Sequence, residues 1–285
     1  MSPWKESVEG TMENRELKAI GEYAERFGRE ARRPGFWGKL VSRFVVVWSM
    51  ITRIPLPRGW FPAASALPGA EAMVVLPLVG GVFGFVATLP ASLLALSVPP
   101  VASAWIACGI YTLAGWSLHL DGWGDLWDGV GSGKRGEGMR RVMKDSRSGT
   151  FGVAGIVLAI SIRSSLLSAI SVGNWLSVCI AAGGVGRFAA AVSACVGDYP
   201  WSVGMGREFV RGFKGYQLFC SFLAACFLFP FAPAGWTIGM LSASFGGAAL
   251  ALWANKNLGG VNGDILGAAS VLGEILVLIG CTIPY

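Results

Sequence analysis

The chain has 285 residues, 53% hydrophobic and only 14% charged, with 23 Lys and Arg against 17 Asp and Glu. Soluble domains carry nearer ~25% charged residues, so an ordinary water-soluble globule is excluded. The formal charge of +6 would suit a nucleic-acid binder, but the basic residues are distributed as membrane topology requires, and no nucleic-acid partner is expected.

Residues 1–40 read as a polar extension. Leu17, Ile20, Ala24 and Phe27 recur at helical spacing among alternating acidic and basic residues. This pattern predicts a solvated amphipathic helix, suited to resting on a membrane surface. The N-terminus is acidic and polar, without the continuous apolar core of a signal peptide. Residues 44–51 are apolar but too short to span; Arg43 and Arg53 flank them and Pro55 and Pro57 follow. An interfacial or re-entrant helix is expected there.

Residues 41–285 read as one transmembrane domain. Charge is absent from 72–98, 101–118, 217–232 and 235–254; 150–172 hold only Arg163, 175–196 only Arg187, and 265–284 only Glu274. A spanning helix needs ~20 apolar residues. The expected fold is therefore an all-α polytopic membrane protein of about seven transmembrane helices, plus the N-terminal interfacial segment. The weakest span is 217–232, which is short and contains Pro230.

The connections alternate in charge. Segments 1–71, 119–149, 197–216 and 255–264 hold 21 of the 23 Lys and Arg, and the other connections hold none. The positive-inside rule places the N-terminus and the loops 119–149, 197–216 and 255–264 in the cytosol, with the C-terminus outside. The expected location is the cytoplasmic (inner) membrane, with the lipid bilayer as a partner. The six cysteines form no CxxC, so neither a zinc site nor a disulfide framework is read.

The stretch Leu118-His119-Leu120-Asp121-Gly122-Trp123-Gly124-Asp125-Leu126-Trp127-Asp128-Gly129 directly follows an uncharged run. On a helix, Asp121, Asp125 and Asp128 fall within roughly 60° of one another. Like charges on one face repel, and a hard divalent cation bound through oxygen is the usual compensation. The intervening Trp123, Leu126 and Trp127 are apolar, so this face is expected to meet protein. Gly122, Gly124 and Gly129 weaken a helix by up to ~1 kcal/mol each, which favours close approach of a ligand or another backbone. His119, the single histidine, lies about 200° from Asp121 on the helix and need not share its site.

Three further groups stand out. Met143-Lys144-Asp145-Ser146-Arg147-Ser148-Gly149-Thr150 precedes a predicted span, where a helix N-terminus favours phosphate and Arg147 can bind it bidentately. Ordinary loop charge is the plainer reading. Leu258-Gly259-Gly260-Val261-Asn262-Gly263-Asp264 permits a tight turn; Asp264 either caps the next helix or adds a carboxylate to the metal site. Arg163, Arg187 and Glu274 lie inside apolar spans, where charge is costly. They form either a structural pair or a phosphate-binding set.

These residues, in this order, resemble the cobalamin synthase family, the adenosylcobinamide-GDP ribazoletransferases. The resemblance is carried by Ile51-Thr52-Arg53-Ile54-Pro55-Leu56-Pro57, Leu76-Pro77-Leu78-Val79-Gly80, His119-Leu120-Asp121-Gly122 through Asp128-Gly129, Met143-Lys144-Asp145-Ser146-Arg147, and Leu258-Gly259-Gly260 through Gly263-Asp264 to Ala269. It covers roughly residues 40–280.

The resemblance implies a Mg²⁺-dependent phosphoryl transfer. A hydroxyl of α-ribazole, or of its 5′-phosphate, attacks the cobinamide-linked phosphorus of adenosylcobinamide-GDP, and GMP leaves. Asp121, Asp125 and Asp128 would hold one or two Mg²⁺, with one of them or Asp145 accepting the proton. His119, Lys144, Ser146, Arg147, Arg53, Arg187 and Asp264 would bind substrate. A homo-oligomer stays open.

Two other readings compete. A CDP-alcohol phosphotransferase also uses clustered aspartates, but no Ala-Arg pair follows Asp121-Gly122. A divalent-cation transporter would place its carboxylates deep in the membrane in symmetric halves, whereas the deep charges here are two arginines and one glutamate.

Overall fold

The computed structural model describes residues 35–61, 69–204, 206–231 and 235–283, together with Glu22, Glu25, Gly28, Arg29 and Arg32. The predicted helix carrying Leu17, Ile20, Ala24 and Phe27 lies outside the described residues. By its contacts the chain divides into Met1–Ser42 and Arg43–Tyr285. In the first unit Arg29 pairs with Glu25 across one helical turn at 3.6 Å, both side chains exposed.

All elements among the described residues are helical. They are α1 (Phe36–Ile51), α2 (Ala72–Leu94), α3 (Pro100–Ala114), α4 (Leu118–Gly131), α5 (Glu137–Met143), α6 (Thr150–Ala169), α7 (Trp175–Val196), α8 (Arg207–Val210), α9 (Gly215–Cys226), α10 (Trp236–Asn257) and α11 (Gly263–Thr282).

Five helices are long and apolar enough to cross a membrane: α2, α6, α7 with its preceding 3-10 turn, α10 and α11. A sixth crossing arises if α3 and α4, bent by 92°, are taken together. Hydropathy alone suggests about seven, and the difference has two sources. The run 101–118 yields the 15-residue α3, about 22 Å at 1.5 Å per residue. It ends where Trp116 and Ser117 adopt φ of 59° and 54°, left-handed values that stop an L-residue helix. The run 217–232 yields the 12-residue α9. The apolar segment 44–51 is the second half of α1, with Val45, Val47, Trp48 and Ile51 buried.

The central helix is α7, buried along almost its whole second half from Ala181 to Ala194. Small residues let α2 lie directly on it: a Cβ at Gly80 would collide with the Gly183 carbonyl, and one at Gly84 with that of Cys179. Close packing of small residues is the usual basis of helix association in lipid. Helix α11 packs on α7, α10 and α4, and α4 also packs on α6. Leu120, Ala159, Val271 and Ile275 form the buried seam of α4, α6 and α11. Outward, Leu241, Phe245 and Leu252 of α10 and Val157 and Leu158 of α6 are exposed, as a lipid-facing surface requires.

Candidate active site

The site is built where α4 crosses α11 and α6. A Cβ at Gly122 would sit 2.7 Å from the Asp264 carbonyl oxygen, so glycine is what allows α4 to touch the first turn of α11. At Gly122 the expected close approach is thus made by another backbone, whereas Gly124 and Gly129 meet the side chains of Ile156 and Met139. On the opposite face, the Trp123 indole donates to the Gly155 carbonyl of α6 at 3.0 Å. This anchors the apolar side of α4 and leaves its acidic side toward a cavity.

The cavity measures about 480 Å³, within the range that holds small ligands. Asp121, Asp125, Asp264 and His119 line one part. Lys144, Asp145, Ser146 and Ser148 line another, joined by Arg140 of α5 and by Tyr199 and Trp201 of the loop after α7. The remaining wall is apolar: Val47, Met50 and Ile51 of α1, Met73 and Leu76 of α2, and Leu266 of α11. One cavity therefore offers carboxylates, cations and a greasy face.

Asp125 is half-buried and feels the negative charges of Asp264, Asp121 and Asp128. Asp264 is oriented by Asn262, whose side-chain amide donates to it at 2.8 Å. The helix cap is Asn262 itself, whose side-chain oxygen accepts from Ile265 N–H at 3.0 Å. Asp264 is therefore left for the cavity. Asp145 accepts three hydrogen bonds from Arg147, one backbone and two guanidinium. The guanidinium bonds foremost hold its carboxyl down at about 2, so it is a weak proton acceptor.

Asp128, expected with the metal carboxylates, is directed elsewhere. Its two oxygens accept the backbone N–H groups of Gly149 and Gly152, each at 2.7 Å. It caps α6 from a different helix, where the dipole favours negative charge. Arg147, Arg53 and Arg187 also stand off the cavity wall. Arg147 is exposed and paired with Asp145. The Arg53 guanidinium lies over the Trp116 ring, 3.6 Å from its centroid. Arg187 is buried and ion-paired with Glu274, which also binds Arg163 at 3.0 Å. Of the two readings of the intramembrane charges, the structural set is the one seen.

Arg140, Tyr199 and Trp201 are among the lining residues absent from the sequence expectations. The Arg140 guanidinium lies 4.6 Å from the Trp201 ring centroid, and Tyr199 meets Trp201 edge-on at 5.2 Å. A signal exists in two aromatic residues, Tyr199 and Trp201, inside the basic segment 197–216, whose charge topology alone explains.

Among the described residues, no group of three His, Cys, Asp or Glu side chains is close enough to hold a metal ion by itself. Mg²⁺ typically takes only one or two carboxylates, keeping water and substrate phosphate for its other positions. One or two of Asp121, Asp125 and Asp264, which line one cavity, would meet that partial donor set.

The family model for cobalamin-5-phosphate synthase matches residues 43–282. The chain belongs to that family. An adenosylcobinamide-GDP ribazoletransferase of Syntrophobacter fumaroxidans is 32% identical over 247 residues, covering 86% of this chain and 99% of the relative. One from Brucella ovis is 35% identical over 250 residues, covering 81% and 92%. No solved structure matches. Every cavity-lining residue of this cobalamin-5-phosphate synthase homologue lies inside the matched segment.

Proposed function

We propose that this chain transfers the cobinamide-phosphate group of adenosylcobinamide-GDP to α-ribazole or its 5′-phosphate, releasing GMP. The observation that carries this is one cavity with carboxylates from α4 and α11, cations from α5 and the Lys144 segment, and an apolar wall. The names of the relatives agree with it.

The chemistry follows from these groups. Phosphoryl transfer needs in-line positioning and charge neutralisation more than covalent catalysis. Mg²⁺, held by one or two of Asp121, Asp125 and Asp264, would neutralise charge on the diphosphate and the leaving GMP. Lys144 and Arg140, which line the same cavity, steady phosphate charge. The ring faces of corrinoid or benzimidazole suit the Met50, Ile51 and Leu76 surface, and Tyr199 with Trp201 offers a flat aromatic edge. The attacking hydroxyl bonds to phosphorus as the bond to the GMP oxygen breaks, and its proton passes to a cavity carboxylate.

The cavity lies on the cytosolic side of the cytoplasmic membrane. What supports this is the concentration of 21 of 23 basic residues in the segments on that side. The test is to incubate membranes containing the protein with adenosylcobinamide-GDP plus α-ribazole, and separately with CDP-alcohols plus lipid acceptors. GMP and a corrinoid product from the first mixture alone are expected. CMP from the second would replace this reading with the CDP-alcohol one.

A further inference from the structure

His119 stands in the wall between two spaces. One is the aspartate-lined cavity; the other is a small void lined by Tyr111, Arg163, Arg187 and Glu274. On the second side, a guanidinium nitrogen of Arg187 lies 3.3 Å from His119 Nδ1. A guanidinium has five N–H donors, no acceptor, and stays charged in proteins. The contact is therefore a hydrogen bond only if Nδ1 accepts, and the neutral ring then carries its proton on Nε2.

Arg187 is itself held in place. It is buried, ion-paired with Glu274, and donates to the Tyr111 hydroxyl at 2.6 Å. Glu274 accepts from the same hydroxyl at 2.6 Å and is held on its other oxygen by Arg163. Among the described residues, no protein group bonds to His119 Nε2.

We propose that the intramembrane Glu274–Arg187 pair acts through His119, fixing the Nε2–H tautomer so that the ring presents a neutral donor to a phosphoryl oxygen in the cavity. Arg187 is then a positioning residue and His119 the group that touches substrate. In a cavity that Asp121 and Asp264 also line, a neutral N–H is held less tightly by a carboxylate than a cation would be, so a phosphate oxygen competes for it more readily. The phosphate half rests on the transferase reading above; the tautomer half does not.

The chain contains a single histidine, so the full-length protein labelled with ¹⁵N-histidine and purified without a histidine tag shows one ring. The expected spectrum has a pyridine-type Nδ1 and a pyrrole-type Nε2, and added inorganic pyrophosphate moves Nε2. A pyrrole-type Nδ1, or an Nε2 signal unmoved by millimolar pyrophosphate, overturns the assignment. Arg187→Lys keeps a donor to Nδ1 and should keep the tautomer, whereas Arg187→Met should yield a mixture; an unchanged ring in folded Arg187→Met contradicts the role of Arg187.

Turnover adds a readout that packing alone would not give. A Gln amide nitrogen reaches near the Nε2 position and an Asn amide nitrogen near Nδ1. His119→Asn should lose roughly 100-fold in kcat, the usual cost of one lost oxyanion donor, and His119→Gln should recover a clear part of that loss. Equal losses in both variants contradict a donor at Nε2. Absence of turnover in the wild-type protein would refute the transferase reading, and the spectrum would still decide the tautomer.

Discussion

The Oδ1 of Asp128 accepts the backbone N–H of Gly152 at 2.7 Å, so the third carboxylate of the aspartate run closes the end of a neighbouring helix. Thr150–Ala169 has no side-chain cap from its own N-cap residue, Gly149, and Asp128 supplies what the sequence next to the helix lacks. Hydrogen bonds to a charged acceptor contribute about 1.5–3 kcal/mol. Asp128→Ala should therefore lower stability by about 2–3 kcal/mol, with Asp128→Asn in between because it keeps one acceptor oxygen. Thermal unfolding in detergent measures this. The folded fraction of Asp128→Asn should retain far more turnover than Asp125→Asn; an unchanged melting temperature would remove the capping role.

Gly122 sets the distance between α4 and α11. Adding a methyl group places it against the Asp264 backbone, and overpacking typically costs 1–3 kcal/mol. Gly122→Ala should cost about that much and reduce turnover, because Asp264 moves away from Asp121 and Asp125. Gly138→Ala, whose added carbon meets nothing nearer than the Lys134 side chain at 3.6 Å, should be nearly silent. Comparing the two by melting temperature and specific activity isolates the crossing from a general effect of alanine.

The intramembrane ion set has an asymmetric vulnerability. Glu274 serves Arg163 and Arg187 together, so Glu274→Gln strands two buried cations. Breaking a buried pair by removing one partner costs about 3–5 kcal/mol. The variant should accumulate in membranes at a small fraction of the wild-type level. Arg163→Met leaves Glu274 paired with Arg187 and should accumulate better. Quantitative blotting of membrane fractions checks the order, and equal accumulation of both variants would contradict it.

Arg140 and Trp201 pack together in the wall of the cavity that the aspartates also line. A cation beside an aromatic ring contributes about 0.5–2 kcal/mol, and here it also holds Trp201 in place. Trp201→Ala should raise KM about 10-fold, the equivalent of ~1.4 kcal/mol of uniform binding, with kcat little changed. A fall in kcat with KM constant would instead place Trp201 in the chemical step.

The sequence made the acidic face of α4 legible because helical geometry alone groups Asp121, Asp125 and Asp128. It did not separate Asp128 from the other two, since the helix end that claims Asp128 begins 22 residues later in the chain and meets it only through packing. Lys144 and Ser146 were legible as a charged segment before an apolar run. Arg140, Tyr199 and Trp201 were not, because they come from a short helix and an irregular loop without periodicity. The expected span at 101–118 is uncharged throughout, yet two left-handed residues, Trp116 and Ser117, turn the chain; nothing in their side chains announces that conformation.

In the proposed reaction, Asp125 and its neighbours support transfer from adenosylcobinamide-GDP. The most direct measurement is GMP and corrinoid product formed by purified protein from adenosylcobinamide-GDP and α-ribazole, with and without Mg²⁺, for wild type and Asp125→Asn. Equimolar products that require Mg²⁺ and fall at least about 100-fold in a folded Asp125→Asn protein are the predicted result. Near-normal turnover in that variant, or full activity of the wild type after Mg²⁺ is removed, would contradict it.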